Sequence, residues 1–147
     1  MKISRHFTLQ EFTLSQTAVR FGIDNTPSDA VIENLKNLCE NVLEPIRELT
    51  KGSIVISSGY RCQQLNGLVG GSKNSQHITG HAADIYTKKM NTELLFQTII
   101  ESKIRYDQLI QEFDRWVHIS FDVNFCRFEK LRAIKSNGKT VYIKEKF

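Results

Sequence analysis

His77 and Asp84 stand seven residues apart in the stretch SSGYRCQQLNGLVGGSKNSQHITGHAAD, residues 57–84. Imidazole nitrogens and carboxylate oxygens are zinc ligands, and a catalytic zinc site takes three of them and leaves a fourth position open. Gly80 lies between the two and permits a tight turn, so a loop entering a strand would bring both to one rim. A third ligand must come from elsewhere. His118 lies in WVHISF, where strand alternation puts Trp116, His118 and Ser120 on one face. Taken alone, the spacing leaves a plainer alternative open. A strand histidine is more often a satisfied core residue, and a His-x6-Asp pair arises by chance.

The elements that must position these residues follow from periodicity and turn chemistry. Thr8 and Glu11 have capping-box spacing, and TLQEFTLSQTAVRFG reads as one or two short helices ending at Gly22. Apolar residues from Ile32 to Leu49 recur at three and four, which predicts a helix of about 20 residues. It starts at a Ser28 cap, stops at Gly52 and is kinked by Pro45 inside it. SIVIS is a strand, CQQLNGLV a short helix, GGSKNS a loop, and HAADIY a strand carrying Asp84. NTELLFQTIIESK is a helix capped by Asn91 or Thr92. YDQLIQEF and WVHISF make a hairpin, and RAIKSNGKTVYI makes another that turns at Asn137-Gly138. Helices first and strands later predict one α+β domain over 1–147, built on a central antiparallel sheet with the N-terminal helices on one face. Residues 1–26 form its N-terminal helical segment and 127–147 a basic C-terminal hairpin.

Read together, these pieces resemble the D-Ala-D-Ala carboxypeptidase-like zinc peptidases, peptidase family M15, whose fold is shared with lysostaphin-type enzymes and hedgehog domains. SGYR at 58–61 matches that family's arginine element, and SQHITGHAAD at 75–84 matches its S-x-H-x-x-G-x-A-x-D signature at every fixed position. QLIQEF at 108–113 and WVHIS at 116–120 match its last two site strands, and the match covers roughly residues 27–122. The resemblance implies a hedgehog/D-Ala-D-Ala-peptidase-like fold and one Zn2+ held by His77, Asp84 and His118. It makes Arg61 the group that holds a substrate carbonyl or oxyanion, a task for which a permanently charged fork is suited. Glu112, six residues before His118, takes the general-base role, with Asp114 as the competitor. Ser75 binds substrate or orients His77, and Tyr60 and Trp116 line the groove or fill the core. His81 occupies a variable position of the signature and reads as exposed or structural. Cys62 reads as packing or a free thiol.

The implied activity is hydrolysis of peptide bonds in bacterial peptidoglycan stem peptides, either at a terminal D-alanine or at a crosslink. Two other readings stand beside it: a zinc-containing binding module of the same fold, and a virion-associated wall hydrolase. Bulk properties fit this frame. The net charge of +4 is uneven, because residues 127–147 carry seven Lys/Arg against two Asp/Glu. Such a tail suits an anionic wall polymer or is simply a solvated face; it contains no nucleic-acid motif. Three cysteines without a C-x-x-C pair argue against a disulfide framework and a cysteine-rich zinc module. MKISRHFTLQEF has no apolar core of a secretory signal, and no run is long enough to span a bilayer. These features predict a monomer made in the cytoplasm, acting on the wall after release or carried by a phage particle, with peptidoglycan peptides as partners and neither nucleic acid nor membrane insertion.

Overall fold

Side-chain caps open several helices of this chain, and a residue in the left-handed region closes two of them. The computed structural model describes residues 1–145; Lys146 and Phe147 of the basic tail lie outside the described residues. Helix α1 (Leu9–Thr13) opens with the Glu11 carboxylate accepting the Thr8 backbone N–H at 2.7 Å. Helix α2 (Gln16–Arg20) opens with Ser15 Oγ accepting the Ala18 N–H, and the chain leaves it through Gly22 at φ +64°. Ser28 caps α3 (Asp29–Leu38) by accepting the Val31 N–H.

The long helix is not the continuous α-helix with a proline kink that periodicity suggests. α3 passes into a π-turn over Cys39–Leu43 and then into α4 (Glu44–Thr50). Pro45 is the reason: it has no N–H to donate, and its ring crowds the carbonyl four residues back. Widening the turn ahead of it absorbs the misfit while the Glu44 N–H still reaches the Cys39 carbonyl. Lys51, in the left-handed region at φ 52°, ends α4.

Six strands form one sheet in the order β1-β2-β4-β3-β5-β6. They are β1 (Val55–Ser58), β2 (Ala82–Tyr86), β3 (Gln108–Glu112), β4 (Trp116–Ser120), β5 (Glu129–Ser136) and β6 (Lys139–Lys144). Helix α5 (Gln63–Leu68) lies between β1 and β2, and α6 (Thr92–Glu101), capped by Asn91, lies between β2 and β3. The sheet is mixed rather than wholly antiparallel, because β5 runs parallel to β3. β4 already has β2 on one edge and β3 on the other, so the returning chain docks on the free edge of β3. Arg127 secures that crossing by donating from its backbone N–H and Nε to Asp107 at the start of β3.

Strand alternation separates core from site. Ala83, Ile85, Leu109, Val117 and Ile119 face one side and are buried against Leu35, Leu38, Val42, Leu43 and Ile46 of the long helix and Leu95, Phe96 and Ile99 of α6. Cores of this kind supply roughly 1.5–3 kcal/mol for each buried Leu, Ile or Phe side chain. The opposite face carries Asp84, Ile110, Glu112 and His118. No helix among the described residues is long and apolar enough to cross a membrane.

Candidate metal centre

The three carried-over ligands converge because cross-strand register forces two of them together. Asp84 on β2 pairs directly with His118 on β4, so both side chains leave the sheet on the same face. His118 Nδ1 lies 3.0 Å from Asp84 Oδ1, and His77 Nε2 lies 3.3 Å from the same oxygen. The rings of His77 and His118 stand edge to face with centroids 5.1 Å apart. One donor atom from each residue lies within 4.8 Å of the others, and all three residues are buried.

His77 comes from the loop before β2. Its Nδ1–H donates to the Gly59 carbonyl at 2.7 Å, which fixes the tautomer and leaves Nε2 as the free lone pair toward Asp84. Ser75 Oγ accepts the His77 backbone N–H and lines the cleft above it. Gly80, at φ +79°, lets the chain turn from His77 toward Asp84; a Cβ there would stand 2.8 Å from the Val31 carbonyl oxygen. Burial opposes ionisation of Asp84, but His77 and His118 more than offset it and hold the carboxyl well below the usual range. Burial pushes the His77 pKa down, against the pull of Asp84, which keeps the imidazole neutral as a metal ligand must be. Two imidazoles and a carboxylate converging on one buried face could hold one divalent metal ion.

Glu112 and Arg61 reach the same cleft. Glu112 pairs with Trp116 across the β3–β4 hairpin, and the Trp116 Nε1–H donates to its carboxylate. Burial, and then the charge of Asp84, raise its pKa; His118, Trp116 and Arg61 pull the other way. Asp114 stands elsewhere. It sits in the hairpin turn, where Gln111 binds both its carboxylate and its N–H, and Gln111 faces the α6 side of the sheet through Glu93. Arg61 lines the cleft, its Nε buried and without a hydrogen-bond partner among the described residues. Burial lowers its pKa, countered by Asp84 and Glu112.

Of the remaining expected residues, Trp116 lines the metal cleft, whereas Tyr60 lies along a neighbouring groove beside β1. His81 turns away: its Nδ1 meets Thr79 Oγ1 at 2.6 Å and its Nε2 lies 3.9 Å from Asp122. Cys62 has a free thiol and stands at the N-cap of α5.

Sequence reading passed over several residues that hold this site. Asn25 is 8% exposed and clamps the arginine loop. Its Nδ2 donates to the Thr13 and Tyr60 carbonyls, both at 3.0 Å, and its Oδ1 accepts the Cys62 N–H at 2.8 Å. Asp107 joins the histidine loop to the β5 crossing by accepting from Gln76 Nε2 and Arg127. An asparagine next to a Thr-Pro break carries no motif, so the sole hint was its place just before a turn.

A family model described as Peptidase M15 matches residues 5–120. A search of curated proteins finds no match to the chain.

Proposed function

This chain belongs to the peptidase M15 family, and we propose that it is a zinc-dependent peptidase hydrolysing peptide bonds in the stem peptides of bacterial peptidoglycan. The observation that carries the reading is the buried His77–Asp84–His118 cluster, with Glu112 and Arg61 opening onto the same cleft of about 600 Å3. The family is one of metal-dependent peptidases, and the donor set fits zinc. The six-stranded sheet with helices on its core face suits the fold named from the sequence.

When bound, zinc supplies Lewis-acid polarisation and lets water ionise near neutral pH. Glu112 then takes the water's proton and returns it to the leaving amine. Its raised pKa brings it nearer the working pH, which is where a general base is most effective. The Trp116 N–H fixes one carboxylate oxygen and leaves the other for the proton. Arg61, whose guanidinium lines the cleft, donates to the carbonyl oxygen as charge develops there. A half-buried guanidinium suits this because it stays charged in a water-poor cleft. The position of Asp114 in the turn, tied to Gln111, favours Glu112 as the base.

Zinc determination on gently purified protein, joined to mass spectrometry of digested peptidoglycan, tests the reading. One zinc per chain and fragments differing by hydrolysis of a stem-peptide bond are expected; a metal-free protein or an unaltered digest would overturn it. A phage lysis or virion-borne role extends the proposal from the sequence resemblance, and assaying purified particles for the protein tests that extension.

A further inference from the structure

The C-terminal hairpin β5–β6 lies beyond the residues matched by the family model, yet it closes one side of the metal cleft. Ile110 and Glu112 on β3 pair with Leu131 and Ala133 on β5, so those side chains share the site face. Ala133 in turn pairs with Tyr142, and Lys135 with Thr140, across the hairpin. Ile110, Leu131 and Ala133 are buried together with Phe113 packed on them, which seats the hairpin on the sheet. Lys135, Thr140 and Tyr142 all line the cleft that holds His77, Asp84 and His118.

The charges along this wall are unequal. Arg127, also on the cleft, is committed to Asp107, with Glu129 alongside. Lys135 has no acidic partner among the described residues. Its ammonium donates to Thr140 Oγ1 at 3.0 Å and stands 5.3 Å from the centre of the Phe113 ring. Phe113 itself stands edge to face on Trp116 at 5.9 Å, which places the cation at the lip of the cleft. Tyr142 also lines this wall; burial and then the charges of Glu112 and Asp84 raise its hydroxyl's pKa.

We propose that the β5–β6 hairpin is a substrate-recognition wall in which Lys135 binds a carboxylate of the substrate peptide. The substrate class is then an acidic peptide, and this rests on the peptidase reading above. Sheet geometry sets the reach. Lys135 lies one strand spacing from β3, about 4.8 Å, and two residues, roughly 7 Å, beyond the level of Glu112. An extended peptide advances about 3.3–3.6 Å per residue, so the recognised carboxylate stands several residues from the bond that is cut. A carboxylate there meets an exposed ammonium that has Thr140 Oγ1 as its hydroxyl partner and the Phe113 ring beside it.

The test uses the full-length, zinc-loaded protein and two stem peptides, one with free carboxylates and one with the same groups amidated. Affinity is read by calorimetry in a Glu112→Gln background, and kcat/KM is read in the protein with Glu112 intact. The acid form is expected to bind on the order of tenfold more tightly, with a preference that shrinks as salt rises. Lys135→Met, which keeps an unbranched apolar side chain and removes the charge, is expected to bring the acid-to-amide ratio near one, and Lys135→Arg to retain most of it. Equal affinity for both peptides, or a preference that survives Lys135→Met, overturns the proposal. A preference that behaves as expected without hydrolysis of either peptide upholds the wall and instead sinks the peptidase reading.

Discussion

Replacing Asn25 with alanine tests whether the N-terminal segment serves the site. Asn25 makes three hydrogen bonds, two donated to carbonyls of Thr13 and Tyr60 and one accepted from Cys62. Tyr60 and Cys62 flank Arg61, so one amide fixes the backbone on both sides of the guanidinium. A typical bond contributes about 0.5–1.5 kcal/mol net, and each buried group left unpaired costs about 1–3 kcal/mol. Water can reach part of the half-buried Cys62 segment, so the total for Asn25→Ala comes to about 2–4 kcal/mol. At this chain length that is a fall in Tm of roughly 5–15 °C, read by calorimetry or circular dichroism. Asn25→Asp keeps the acceptor for Cys62 but turns an oxygen toward two carbonyls, and it should lose at least as much. Catalysis should suffer beyond stability: measured well below Tm, kcat/KM falls about tenfold or more because Arg61 is no longer held in register. Zinc content should not change, since Gly59 still binds His77. An Asn25→Ala protein within about 0.5 kcal/mol of wild type, with unaltered kcat/KM, would refute the clamp.

Glu112→Gln keeps the size and removes the base; hydrolysis should fall about 10²–10⁴-fold with zinc retained, and full activity in a zinc-loaded variant would dismiss Glu112 from that role. Gly80→Ala must place a Cβ 2.8 Å from the Val31 carbonyl oxygen at φ +79°, so its urea midpoint should drop by the equivalent of about 1–3 kcal/mol; an unmoved midpoint contradicts the packing. Arg132 forks onto Glu93 at 2.6 and 2.8 Å and lowers the Glu93 pKa to about 2 from its ordinary 4.5. Its stabilisation is therefore complete above about pH 4.5 and is lost as pH falls toward 2. Because the pair is partly exposed, the gap between wild type and Glu93→Gln should stay below about 1 kcal/mol and close in acid; a gap that widens in acid would reverse the sign.

Local rules determined a great deal. Caps at Thr8, Ser28 and Asn91, the strand alternation around His118, and the Asn137-Gly138 turn follow from chemistry within a few residues of chain. The signature at 75–84 contains two of the three clustered donors in a single run. Other features were closed to sequence reading because their causes are distant or lack a marker. The β3–β4 turn puts Phe113 and Asp114 at positive φ without a glycine to announce it. The parallel docking of β5 on β3 depends on which sheet edge is still free when the chain returns. Asn25 and Tyr60 meet across 35 residues, and Lys135 reaches the cleft only once β5 is registered on β3. By itself the sequence singled out His77, Asp84 and His118 as candidate ligands, because residue type and short spacing are local properties. Tertiary structure alone decided which carboxylate shares the cleft with His77, Asp84 and His118, what holds the arginine loop, and that β5 and β6 line the cleft, because each of these depends on register between segments far apart in the chain.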